Sequence, residues 1–163
     1  MGLANGRARA DEIQADLGLT VIGLGYERTV APQLTLGIAG ELMGTWFGPY
    51  FDKPWLGGLG VGVRATWFPR GRAPYGLYVA PYFRLIDASA TQDSDGHSAS
   101  SGSQPGWTGG IFVGESFALP MHLNLRLGVG IQYIDLAGPT GPLTELAFRS
   151  VFPALDLVVG YAF

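Results

Sequence analysis

From Leu123 to Tyr133 every second residue is apolar. Leu123, Leu125, Leu127, Val129, Ile131 and Tyr133 share one parity, and His122, Asn124, Arg126, Gly128, Gly130 and Gln132 share the other. Successive side chains of an extended strand point to opposite faces, so this spacing builds one continuous apolar stripe backed by a small or polar one. On a helix the same residues would scatter around the axis, so the segment reads as a strand. The pattern recurs. Leu34, Leu36, Ile38, Gly40, Leu42, Gly44 and Trp46 alternate with Thr35, Gly37, Ala39, Glu41, Met43 and Thr45. Leu59, Val61, Val63, Ala65 and Trp67 alternate with Gly58, Gly60, Gly62, Arg64 and Thr66. Leu77 to Leu85 and Val151 to Phe163 follow the same rule, with Arg84 and Asp156 on their polar parities.

These runs exceed the roughly 5–6 residues of a globular strand and match the roughly 9–11 of a strand crossing a bilayer at a tilt. The second face decides which way the apolar stripe points. Gly, Ala, Thr and scattered charges are too small to form the outside of a water-soluble barrel, and they suit a narrow, filled lumen. Composition agrees, because charged residues are 14% of the 163-residue chain, against about 25% in a soluble domain. No uncharged apolar run of about 18 residues occurs, which excludes a transmembrane helix. A net charge of −3 argues against a nucleic-acid partner. The absence of cysteine removes disulfides, thiolate metal sites and thiol catalysis. The fold class is therefore all-β: an up-and-down antiparallel transmembrane β-barrel. Trp46, Trp67 and Tyr133, with Tyr161 and Phe163, fall near strand ends on the apolar parity, where an interfacial aromatic girdle belongs.

The connections alternate in length. Thr29–Gln33, Pro69–Pro74 and Leu119–Met121 are short; Phe47–Pro54, Asp87–Gly106 and Asp135–Thr144 are long. In outer-membrane barrels short turns are periplasmic and long loops external, which sends the strand ending at Tyr26 and the one ending at Phe163 inwards. Seven strands are plain, whereas such barrels have even numbers, most simply eight here. Ala15, Leu17, Leu19 and Val21 share one parity and Ile22, Leu24 and Tyr26 the other, so a bulge or a tight hairpin lies between them. The alternative is a turn near Phe152-Pro153, but alternation is unbroken from Val151 to Phe163, which favours the N-terminal solution. At Trp107–Leu119, Ile111 and Val113 share a parity with Glu115, predicting a bulge or an inward apolar patch. Residues 11–163 form one barrel domain. Residues 1–10 read as a signal-peptide remnant or a flexible N-terminus, since Ala8-Arg9-Ala10 before Asp11 fits a small-x-small cleavage pattern. Residues 87–106, rich in Ser, Asp and Gly, read as a mobile external loop.

The candidate functional residues are the charges on inward parities: Glu41, Arg64, Arg84, Glu115, Arg126 and Asp156, with Asp16. Buried charges must pair, so opposite signs are expected to meet across the lumen. They would form either a salt-bridged plug or the gate of a narrow polar path, and a lumen of about eight strands favours the plug. Other motifs carry less. Asp93-Ser94-Asp95-Gly96 lacks the remaining ligands of a calcium loop, so no metal and no cofactor is expected. Gly114-Glu115-Ser116-Phe117-Ala118 falls one residue short of a nucleophile elbow and precedes no helix. His97, Ser98 and Ser100, the nearest set for an acyl-transfer site, lie in the polar loop without preorganisation, so the chain is expected not to be an enzyme. His122 reads as a polar lumen or turn residue at the periplasmic end.

The alternating strands, the turn YERTVAPQLTL and the ending LDLVVGYAF together resemble the small outer-membrane barrels of Gram-negative bacteria, of the OmpA, OmpX and OmpW type. The resemblance implies an integral outer-membrane location, with lipid bilayer and lipopolysaccharide around the barrel. It also implies recognition by the barrel-assembly machinery through the terminal strand, in which Leu155, Leu157, Val159, Tyr161 and Phe163 match the signal. It fixes no activity, since the group includes structural, adhesive, transport and enzymatic members. A structural or interaction role with a mostly closed lumen is the first expectation. A narrow channel or transporter for small or apolar solutes is the second, and a lipid-processing enzyme the third. Oligomeric state is not legible.

Overall fold

The computed structural model describes residues 11–44, 55–94, 97–100, 103–136 and 148–163. The elements are β1 (Asp11–Leu17), β2 (Val21–Ala31), β3 (Leu34–Gly44), β4 (Trp55–Trp67), β5 (Gly76–Ser94), β6 (His97–Ser100), β7 (Gln104–Ala118), β8 (Leu123–Leu136) and β9 (Phe148–Ala162). Every pairing is antiparallel. β1 to β4 pair in sequence, β5, β7, β8 and β9 do the same, and β9 returns to β1 while β4 pairs with β5. β6 pairs with β5 alone, so eight of the nine strands close a ring. Closure leaves no unpaired strand edge around the wall.

The eighth strand lies at the N-terminal parity switch. β1 and β2 form a tight hairpin whose turn is Gly18, Leu19 and Thr20, with Leu17 paired to Ile22. The alternative turn near Pro153 is absent, since β9 pairs with β8 without a break from Phe148 to Tyr161. One end of the barrel carries the Ala31–Leu34, Trp67–Gly76 and Ala118–Leu123 connections, together with Asp11 and Phe163. The other end carries the longer connections, with one exception in the three-residue β1–β2 turn.

Three expectations need correction or qualification. β7 keeps unbroken register with β5 and β8, so Trp107–Leu119 contains no bulge, and the apolar Ile111 and Val113 face out. Glu115 therefore faces outwards, opposite Leu77 and Leu127, and is exposed rather than luminal. It sits three residues before the end of β7, where a long carboxylate side chain can reach the polar boundary. Second, the stretch 87–106 is largely paired strand, since β5 runs on to Ser94, β6 pairs back on it and β7 starts at Gln104. A strand beyond an apolar layer meets water on both faces, so it needs no two-residue hydropathy signal. Third, residues 1–10 and Trp46 lie outside the described residues.

Elsewhere the faces follow the parity. Leu24, Ile38, Leu59, Val61, Val129, Ile131 and Val151 are exposed, while Glu27, Thr35, Thr66, Tyr78, Arg126 and Asp156 are buried. The barrel is apolar outside and polar inside, the reverse of a soluble protein. Trp67, Tyr161 and Phe163 are exposed towards the short-turn end. Higher on the wall Trp107 stacks on Phe83 at 5.7 Å and meets Tyr133 at 5.2 Å.

Candidate functional site: the ion-paired lumen

Three arginines stand at successive heights in the lumen, each brought inwards by the parity of its strand. Lowest, Arg126 of β8 is fully buried above the Phe68 ring. It donates from Nη1 and Nη2 to both carboxylate oxygens of Glu27 at 2.8 and 2.6 Å, and from Nη2 to Glu12 at 3.3 Å. Asn124 donates to the same Glu12 at 3.1 Å and accepts from Ser116 Oγ at 2.8 Å. β1, β2, β7 and β8 are thereby tied together across the interior.

Midway, Arg64 of β4 reaches across the barrel to Asp156 of β9. The two form a fork, Nη1 to Oδ1 at 2.8 Å and Nη2 to Oδ2 at 2.5 Å. Tyr78 of β5 donates its hydroxyl to Asp156 Oδ2 at 2.5 Å. Gly128 makes room for that hydroxyl, since a Cβ there would lie 2.5 Å from it. The Arg64 guanidinium also lies 5.6 Å from the Tyr78 and Phe112 ring centres. Above it, Arg84 of β5 meets Glu41 of β3 through Nε at 2.6 Å and Asp16 of β1 through Nη2 at 3.2 Å. Its guanidinium lies 4.1 Å from the centre of the Tyr82 ring, whose hydroxyl donates to Gln132 at 3.0 Å. Such charge-assisted, multiply bonded contacts are the form in which buried ions are tolerated.

Apolar side chains fill the space between and above these layers. Phe68, Tyr78, Ala80, Tyr82, Phe112 and Ala154 form one cluster, with Tyr82 and Phe112 stacked at 4.9 Å. Val21, Met43, Ile86, Ala88 and Ile134, with Phe152 against them, form another at the long-loop end. The interior is uneven. β5 and β7 contribute large rings, with Phe68 from the β4–β5 connection, whereas β2, β3 and β4 present Gly25, Gly37 and Gly62. A cavity of about 30 Å³ remains beside those glycines, lined also by Asp16, Glu27, Glu41, Arg64 and Arg84. That is room for about two waters.

Of the residues named from sequence, Glu41, Arg64, Arg84, Arg126, Asp156 and Asp16 converge in the lumen, and Glu115 does not. Sequence reasoning missed Glu12, Glu27, Tyr78, Tyr82 and Asn124. Their inward parity was available, since Glu12, Gln14 and Asp16 alternate with Ile13 and Ala15, and Glu27 follows the outward Tyr26. His122 is a turn residue at φ +62°, with its ring 6.3 Å from Tyr161. His97, Ser98 and Ser100 fall on β6, and their side chains, like Asp95 and Gly96, lie outside the described residues. Among the described residues no group of three His, Asp or Glu is placed to hold a metal ion.

Fold and faces together define a class: a closed, eight-stranded antiparallel β-barrel with a lipid-compatible wall and an ion-paired interior. The N-terminal β-barrel domain of Pseudomonas aeruginosa OprF is similar over 95% of this chain and 98% of that one, with a TM-score of 0.57 and 13% identity. Neisserial surface protein A (NspA) aligns over 93% of this chain and 92% of its own, with a TM-score of 0.48 and 16% identity. No protein-family model and no curated protein matches the sequence. At 13% identity the OprF likeness shows the fold alone.

Proposed function

We propose that the chain is an integral β-barrel of a Gram-negative outer membrane, non-enzymatic, with its lumen closed by ion pairs and its role structural or interactive at the cell surface. The wall supports the location, because a closed ring pairs its strands edge to edge without water while its exterior is apolar. The observation that carries the closed-lumen reading is the Arg64–Asp156 fork, which crosses the interior from β4 to β9 with Tyr78 and Phe112 packed against it. Lipopolysaccharide would contact the long-loop end, and the barrel-assembly machinery would read the terminal strand to Phe163.

A second reading is a narrow channel, favoured by the 30 Å³ cavity and by five paired luminal carboxylates against three guanidiniums. Planar-bilayer recording separates the two. The closed reading expects a silent bilayer from the intact chain; stable openings that shift with Arg64→Ala or Glu41→Ala would establish the channel. Incubation with lipid A tests the non-enzymatic reading, and chemical modification of the lipid would overturn it.

A further inference from the structure

The outer wall is not evenly covered. Leu24 of β2, Gly40 of β3 and Val61 of β4 lie in one register row and face out. Gly40 has no side chain, and a Cβ built there would meet nothing within 4 Å. The row beside it holds Tyr26, Ile38 and Val63. Together with Phe83 they bound a groove of about 670 Å³ across β2 to β5, almost wholly apolar and open to the outside.

The groove has a charged neighbour. Two residues beyond Tyr26 on the same outward face stands Arg28, which pairs in register with Asp11. Asp11 accepts from the Phe163 backbone at 3.0 Å, so this row lies at the chain ends, on the short-turn rim. The Arg28 guanidinium is half exposed and meets Asp11 through Nε at 3.7 Å, too long for a hydrogen bond. Its remaining donors suit an anion at the rim. From Arg28 to Leu24 is four residues, about 13 Å of strand. Half of a hydrocarbon core about 30 Å thick is of similar depth.

We infer that this face holds a phospholipid of the leaflet on the short-turn side, its phosphate on Arg28 and one acyl chain in the groove floored by Gly40. The inference rests on the membrane reading above and goes beyond it in naming a ligand. An apolar slot one leaflet deep with a cation at its polar mouth matches a lipid's two halves in both chemistry and spacing. A second copy of the chain would find the apolar half but would need an anion buried at Arg28.

The test uses the intact chain refolded into phosphatidylcholine vesicles containing a phosphatidylglycerol with a photoreactive diazirine midway along one acyl chain. After illumination, labelled residues are mapped by mass spectrometry. Labelling is expected to concentrate on Leu24, Ile38 and Val61. Gly40→Leu, which fills open space and leaves the wall intact, should abolish that concentration. Arg28→Gln should reduce it about fivefold, the weight of one cation against an anionic headgroup, and Arg28→Lys should retain it. Even labelling around all eight strands would overturn the inference while leaving the membrane reading intact. A chain that stays outside the vesicles would overturn both.

Discussion

Replacing Asp156 by Leu tests whether the lumen is dry. The Arg64 and Asp156 side chains are 13% and 0% exposed, and the aspartate also accepts from Tyr78. Removing the carboxylate strands a guanidinium among the Tyr78 and Phe112 rings. Breaking a buried ion pair from one side costs about 3–5 kcal/mol, whereas an exposed pair is worth about 0–1 kcal/mol. Arg64→Met should cost a similar amount, because it leaves Asp156 with the single Tyr78 donor. The double variant removes both charges and should recover most of the loss. What remains is the orphaned Tyr78 hydroxyl, about 1–3 kcal/mol, and adding Tyr78→Phe should relieve it. The assay is urea unfolding of the chain in lipid vesicles, with folded and unfolded bands separated on an unheated SDS gel. If each single variant costs less than about 1 kcal/mol, the lumen is water-filled and the closed-barrel account fails.

Three further outcomes are expected. Val129→Arg places a charge on the outward face midway along β8, opposite Val113 and Leu155, and should destabilise the barrel by about 2–4 kcal/mol; a cost near zero in the same titration would mean the wall does not face lipid there. Met121 and His122 occupy the turn before β8 at φ +61° and +62°, a conformation that costs an ordinary residue about 1–2 kcal/mol. His122→Gly should therefore raise the urea midpoint, and an unchanged or lower midpoint would contradict the strain argument. Deleting Phe163 should reduce assembly into the outer membrane of cells, and wild-type levels of heat-modifiable protein in that membrane would contradict the terminal-signal reading.

The barrel was legible because an apolar wall around a polar lumen enforces a strict rule. Each of β3, β4, β5, β8 and β9 must be apolar at every second residue, and that pattern places Glu41, Arg64, Arg84, Arg126 and Asp156 inside without further information. Legibility failed where the rule lapses. Glu115 has the parity of Ile111 and Val113, so either the charge or the apolar pair had to break the pattern; only the register with β5 and β8 settles that the charge is outside. Residues 87–94 continue β5 with no apolar alternation to mark them. Partner choice was also hidden. Parity puts Arg64 in the lumen, but pairing it with Asp156 rather than Glu41 depends on closure of the ring, which sets β9 within reach of β4. The groove at Gly40 was equally invisible, because a glycine on an apolar parity reads only as a gap.

The most direct measurement of the central claim is spin-label accessibility. The chain has no native cysteine, so Leu24→Cys, Leu59→Cys, Val129→Cys and Val151→Cys give single labels at exposed positions around the wall. In vesicles each label should be relaxed strongly by oxygen, which partitions into lipid, and weakly by a water-soluble nickel chelate. Labels relaxed mainly by the chelate would show that the apolar stripes do not face the bilayer.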